Sequence, residues 1–205
     1  MNNSKSFNNA NTNFTLGLPA WAINKLNELP AYFPANDDRM AAVIEFSRMN
    51  FQRKTGGPFA AGIFERDPGR LIVIGVNRVL PLHCSSAHAE IMAISLAQKQ
   101  LESYDLGAPG FPPHQIVVSW RPCAMCFGAI LWSGMRSLVI AGDGPEMEKL
   151  TGFDEGPLHP EWRNELDRRG IELVENVLRN KAIDMYKEFS ASREFVYNAR
   201  LGSVE

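Results

Sequence analysis

Four residues of this chain have types and spacing suited to metal chemistry: His88, Glu90, Cys123 and Cys126. Cys123-Ala124-Met125-Cys126 offers two thiolates to one ion, and His88 offers an imidazole. Zinc takes such ligands in a tetrahedron, so three protein donors leave one position for water, which the ion acidifies. Glu90 stands two residues after His88 and suits proton transfer beside that ion without ligating it. Two other readings compete. A lone CxxC also serves as half of a structural zinc site or as a redox pair. A closed structural site needs a fourth ligand, for which His83, Cys84, His114 and His159 are available on paper. A redox pair leaves His88 and Glu90 unexplained. Cys84 is read as a buried or loop thiol.

These groups need elements to hold them. A loop over 80–87 is expected to deliver His88 to the start of a helix reaching about Glu102 through Ile91, Met92, Ile94 and Leu96. Pro122 suits the first turn of a second helix, Cys123–Trp132. Unpaired N–H groups at a helix start favour thiolate over thiol, so two helix N-termini facing one ion would suit the donors. Strands are predicted over 59–65, 71–79, 115–120, 137–141 and 171–177, the first two joined by Asp67-Pro68-Gly69-Arg70. Helices are predicted over 21–29, 39–54, 163–169 and 180–189, the second stopped by Gly56-Gly57. Strands alternating with helices argue for an α/β sandwich with a mixed sheet.

With 205 residues the chain suits one core-bearing domain, over 36–205, behind an N-terminal extension over 1–35 expected to be partly disordered or loosely packed. Net charge is −2, from 21 basic and 23 acidic side chains. A protein that grips a nucleic-acid backbone usually carries a basic excess, so a polynucleotide partner is disfavoured. Three cysteines do not make a disulfide framework, and the Asn-rich start does not read as a secretory signal. No apolar run is long enough to span a bilayer. These features point to the cytoplasm.

His88-Ala89-Glu90 with Pro122-Cys123-Ala124-Met125-Cys126 matches the His-x-Glu…Pro-Cys-x-x-Cys pattern of zinc deaminases acting on nucleobases. From Asp37 onward the chain resembles the cytidine deaminase-like superfamily and, more narrowly, the small zinc-dependent guanine deaminases of bacteria. Gly56-Gly57-Pro58-Phe59, Gly75-Val76-Asn77, the run from Pro122 to Trp132, and Gly152-Phe153-Asp154-Glu155 carry the narrower likeness. The resemblance implies a three-layer sandwich, a mixed five-stranded sheet with helices on both faces, and a homodimer with exchanged C-terminal segments. It implies one zinc on His88, Cys123 and Cys126, with water as fourth ligand, and Glu90 as proton shuttle. Phe59 would stack on the purine, Asn77 and the Ala89 backbone would bond it, and Trp132 would line the pocket. Glu155 would be a second proton-shuttling carboxylate, and Phe195 or Tyr197 would close the pocket.

The residues have plainer readings too. Phe59 and Trp132 suit a core, Asn77 a turn, and Glu155 a solvated loop. Arg121, directly before Pro122, replaces an acidic residue common in the family, and the Gly107–Pro113 stretch and the long N-terminus are additions. These departures would admit related heterocycles such as an aminotriazine. The expected reaction is hydrolysis of guanine to xanthine and ammonia. A tRNA adenosine deaminase, a cytosine or nucleoside deaminase, and a non-catalytic zinc module are the alternatives.

Overall fold

Apolar side chains that alternate along the central strands divide the interior into two cores. In a computed structural model describing residues 14–198, the strands are β1 (Ala60–Glu65), β2 (Leu71–Val76), β3 (His114–Val118), β4 (Ser137–Ile140) and β5 (Glu172–Val174). They form one sheet in the order β2-β1-β3-β4-β5. β1 is antiparallel to β2 and β3, while β3, β4 and β5 are parallel. The mixed five-stranded sheet expected from the sequence is therefore observed.

Ala60, Phe64, Val117 and Val139 point to one face. There they meet Met40, Val43, Ile44 and Phe46 of α2 (Asn36–Gln52) and Ala182, Met185, Tyr186 and Phe189 of α8 (Arg179–Ser192). Ala61, Ile63, Ile116, Leu138 and Ile140 point to the other face. They meet α4 (Ala89–Gln100), α5 (Ala124–Trp132) and α7 (Trp162–Arg168) through residues such as Ala93, Ala97, Phe127, Ile130 and Leu166. Each large apolar side chain buried this way contributes roughly 1.5–3 kcal/mol. Gly75 lets α4 lie directly on β2, since a Cβ there would stand 2.5 Å from the Ala93 backbone nitrogen.

Several local expectations differ from the structure. The predicted 80–87 loop begins with a short turn of helix, α3 (Val79–Leu82). Pro122 precedes α5 rather than entering it, because Cys123 is extended and occupies the N-cap. α6 (Glu146–Thr151), an element the periodicity did not suggest, follows β4. Only Glu172–Val174 of the fifth predicted strand pairs with β4.

Residues 1–13 of the N-terminal extension lie outside the described residues. Of residues 14–35, Ala22 and Phe33 are buried and most of the rest is exposed or half-buried. In α1 (Ala20–Glu28), Ala22 is fully buried, and Trp21 stacks at a tilt on Phe46 with ring centroids 5.6 Å apart. Residues 31–33 bond the β1–β2 hairpin, through Leu71 N–H to Ala31 O at 2.9 Å and Phe33 N–H to Gly69 O at 2.8 Å. Buried Arg39 fastens the same segment, donating to Phe33 O at 2.6 Å, Pro34 O at 3.1 Å and Gln115 Oε1 at 2.7 Å. Among the described residues no helix is long and apolar enough to cross a membrane.

Candidate active site

Two helix starts supply the donors. His88 is the N-cap of α4 and Cys123 the N-cap of α5, both in extended backbone. Cys126 sits one turn into α5 and is fully buried. One donor atom from each of His88, Cys123 and Cys126 lies within 4.8 Å of the others. Among the described residues this is the one group of three or more His, Cys, Asp or Glu side chains that can hold a metal ion. Zinc–sulfur bonds of about 2.3 Å and zinc–nitrogen bonds of about 2.0–2.1 Å in a tetrahedron put sulfur and nitrogen roughly 3.6 Å apart. Cys123 Sγ and His88 Nδ1 are 3.6 Å apart. The donor set fits zinc, with Nδ1 as the imidazole donor.

The electrostatics favour a cation. A hydrogen bond from Cys126, with His88 beside it, brings the Cys123 thiol down to about 4 against the opposing effect of burial. Burial works against the His88 imidazolium, yet the Cys123 sulfur and Glu90 carry its pKa up to about 9. Cys126 moves the other way, pushed up because the shared bond leaves the charge on Cys123 and because it is buried. Two thiols, an imidazole and two nearby carboxyls crowd negative charge into a low-dielectric space, which a divalent ion relieves.

A pocket opens beside the donors, lined by Phe59, Asn77, His88, Ala89, Glu90, Val118, Ser119, Trp120, Arg121, Met147 and Glu155. Glu90 is in the first turn of α4 and nearly fully buried. Burial pushes its pKa up, with the Cys123 charge adding to the effect. Glu155 arrives from the loop after α6, where its N–H donates to Glu148 Oε1 at 3.3 Å. Burial, then Cys123 and Glu90, raise its carboxyl to about 8. Carboxyls displaced in this way are usual where protons are handled.

Asn77 follows β2. Its Oδ1 accepts from the Gly57 and Val79 N–H groups, both at 3.3 Å, which turns its amide nitrogen the other way. That nitrogen is buried and has no hydrogen-bond partner among the described residues. Phe59 meets Phe153 edge-on, with centroids 5.0 Å apart, leaving part of its ring to the pocket.

The structure thus brings Phe59, Asn77, His88, Ala89, Glu90 and Glu155 together. Trp132 is elsewhere. It ends α5, more than two turns from Cys123, and is 87% exposed, so within one chain it does not line the pocket. Phe195 is 64% exposed and borders a separate groove with Lys54, Leu80 and Pro81. Tyr197 is half-buried against Phe153, with centroids 5.0 Å apart. Burial raises its hydroxyl above the usual range, Glu155 adds to the rise, and the Asn77 side chain opposes it. Of the two C-terminal aromatics, Tyr197 is therefore the one beside the site. The remaining paper donors are absent from the cluster: His83 and His159 are exposed, Cys84 contacts Ser86 at 3.2 Å, and His114 is buried against Leu106 O at 2.8 Å.

Sequence reading missed Val118, Ser119, Trp120 and Met147 as lining residues. Val118 ends β3 and the next two follow it, in a stretch recognised as buried whose facing depends on register, and Met147 belongs to the unanticipated α6. Arg121, noted only as a departure, lines the pocket with its Nε 3.2 Å from Asp143 Oδ1.

The family model for the cytidine and deoxycytidylate deaminase zinc-binding region matches residues 35–142. Guanine deaminase of Bacillus subtilis (strain 168) is 29% identical over 142 residues, covering 68% of this chain and 86% of that protein. A solved structure of guanine deaminase from Nitrosomonas europaea is 45% identical with a TM-score of 0.83, covering 88% of this chain and 98% of that one. Another, in complex with 2,6-diaminopurine, is 46% identical with a TM-score of 0.83, covering 91% and 97%. A family match across just over half the chain, a like fold, and a three-donor metal cluster with a buried carboxyl beside it agree: the chain belongs to the cytidine and deoxycytidylate deaminase zinc-binding family and is a zinc-dependent hydrolase.

Proposed function

We propose that the protein hydrolyses guanine, so that guanine and water give xanthine and ammonia, with guanine-like aminotriazines as secondary substrates. The observation that carries this reading is the pairing of two carboxyls, buried Glu90 and half-buried Glu155, with the Phe59 ring and the Asn77 amide, whose nitrogen has no hydrogen-bond partner among the described residues, in one pocket. Guanine's amidine edge presents donors, which carboxylates accept, and its carbonyl and ring nitrogens present acceptors, which an amide N–H bonds. Identity to guanine deaminases, and to a protein bound to 2,6-diaminopurine, supports the same reading.

In this proposal His88, Cys123 and Cys126 hold zinc, whose chemistry when bound is to make water acidic enough to attack at neutral pH. Phe59 stacks on the base and Asn77 Nδ2 fixes its orientation. The Ala89 N–H, at the first turn of α4 where no intrahelical acceptor exists, bonds a second acceptor of the base. Glu90 takes a proton from the attacking water and returns it to the ring nitrogen. Glu155, facing the amine side of the base, passes the second proton of the attacking water, from the hydroxyl now on the carbon, to the departing amine, so that ammonia leaves and both carboxyls end as they began.

The reaction would belong to purine breakdown, in a reducing compartment such as the cytoplasm, consistent with three free cysteines. We also propose a homodimer. α5 carries no charged residue and leaves Met125 40% and Trp132 87% exposed, which suits a partner subunit better than solvent. The C-terminal segment, which rests on Phe153 of its own chain in the structure, would take the equivalent place on the partner subunit in the dimer. Residues 1–35 are proposed as an extension to the catalytic domain.

The deciding experiment is ammonia release from guanine, adenine, cytosine, their nucleosides and aminotriazines by the zinc-loaded protein. Release from guanine is expected. Release from adenosine or cytidine alone would overturn the proposal in favour of a nucleoside or tRNA deaminase, a reading already disfavoured by the net charge of −2.

A further inference from the structure

Asn50 lies outside the pocket, fully buried near the end of α2, and yet its side chain ties the turn after α2 to the backbone of Asn77, which carries the pocket's amide. Its Nδ2 donates to Asn77 O and to Gly57 O, both at 2.9 Å. Gly57 in turn donates its N–H to Asn77 Oδ1 at 3.3 Å. Asn50, Gly57 and Asn77 thus close a ring of hydrogen bonds that fixes both the backbone and the side-chain amide of Asn77. Space around the ring is tight: a Cβ on Gly56 would stand 1.9 Å from Asn77 O and 2.7 Å from Asn50 Nδ2.

The ring has an outer end. Thr55 Oγ1 donates to Asn50 Oδ1 at 2.8 Å, in keeping with the orientation the two carbonyls impose. The same hydroxyl oxygen accepts the indole N–H of Trp21 at 2.9 Å. Trp21 belongs to α1, in the extension before the deaminase domain. An Asn amide that rotates by half a turn swaps donor for acceptor and would set its oxygen against two carbonyls, so those carbonyls decide which way Asn50 faces. The Thr55 hydroxyl, held by the Trp21 indole, adds a donor on the oxygen side and fixes the side chain against tilting away from them.

We infer that Asn50 is a positioning residue for the Asn77 amide, and that Trp21 of the N-terminal extension, through Thr55, holds Asn50 in its working orientation. The inference rests on the proposed reading of Asn77 as a contact to the base. It gives the extension a task in the site, although α1 supplies no pocket-lining residue.

The test is a double-substitution cycle read by kcat/KM, with a second pair of variants read by binding. Asn50→Asp keeps size and the Thr55 contact but cannot donate to the two carbonyls. It is expected to lower kcat/KM by about 10-fold or more in the native chain, but by less than about 2-fold in an Asn77→Ala background, at unchanged zinc content. Equal losses in both backgrounds would overturn the inference, as would native kinetics in Asn50→Asp. Should Asn50→Asp fail to fold, Thr55→Val removes only the anchoring hydroxyl. It is expected to weaken binding of 8-azaguanine several-fold in calorimetry, with Thr55→Ser restoring it, and equal affinities for Val and Ser would overturn the inference. The base panel is run first on the native protein, and the cycle uses whichever base it deaminates. A wrong assignment of guanine therefore shows in the panel, whereas a wrong assignment of Asn50 shows only in the cycle.

Discussion

Cys123 Sγ lies 3.6 Å from His88 Nδ1, the separation of two ligands on one tetrahedral zinc. Both residues are helix N-caps, so the geometry depends on where α4 and α5 begin rather than on loop conformation. Cys123→Ser should therefore lose zinc without losing the fold. Metal analysis is expected to fall from about one zinc per chain to near zero, while far-ultraviolet circular dichroism is unchanged. Chelation of the native protein should abolish ammonia release, and added zinc should restore it.

Glu90→Gln keeps the shape and burial of the side chain but cannot shuttle a proton. The expected loss in kcat is roughly 10²–10⁴-fold at normal zinc content. A variant within a few-fold of native would remove Glu90 from the proton path.

Glu155 gives a pH dependence whose sign follows from its environment. Its folded pKa of about 8 lies above its ordinary value of 4.5. The folded state therefore holds a proton that the unfolded state releases, and the stability it contributes is complete below pH 4.5 and lost as pH rises through about 8. In chelator-treated protein, thermal unfolding should occur at lower temperature at pH 8.5 than at pH 6. Glu155→Gln should shrink that difference, leaving what His88, raised to about 9, contributes with the same sign and Cys123, lowered to about 4, with the opposite one. The same substitution should slow guanine turnover severely with zinc in place, which steady-state ammonia assays would read.

Gly75→Ala tests how the sheet seats the catalytic helix. The added methyl would meet the Ala93 nitrogen at 2.5 Å and the Ala89 oxygen at 2.7 Å. Pushing α4 away should cost about 1–3 kcal/mol in denaturant unfolding and weaken zinc binding through His88.

Trp132→Asp tests the proposed dimer. Sedimentation of the native protein should give two chains of 22.9 kDa, and the variant one. A native monomer would remove the proposed role of the exposed α5 face.

The sequence by itself determined the donor set, because zinc constrains ligand type and local spacing, and CxxC and His-x-Glu are each read within a few residues. It also determined the five strands and the principal helices, because burial on one or two faces imposes periods that composition displays. Helix ends and short elements were less legible: Cys123 rather than the proline region's first turn became the α5 cap, and α6 had no period to announce it. Only the tertiary structure decided which distant residues share the pocket. Glu155 meets Glu90 from 65 positions away in a loop without periodicity, as the seating of α6 against α8 allows. Trp132 sits in an apolar run that reads as interior, yet the end of α5 turns it outward within the chain. Tyr197 rather than Phe195 reaches the site because the segment after α8 lays one ring on Phe153 and leaves the other exposed. Asn50 carries no motif at all. Its role follows from hydrogen bonds across 27 positions, and no local pattern in a chain encodes a contact that exists only after α2, the Gly56-Gly57 turn and the end of β2 have packed together.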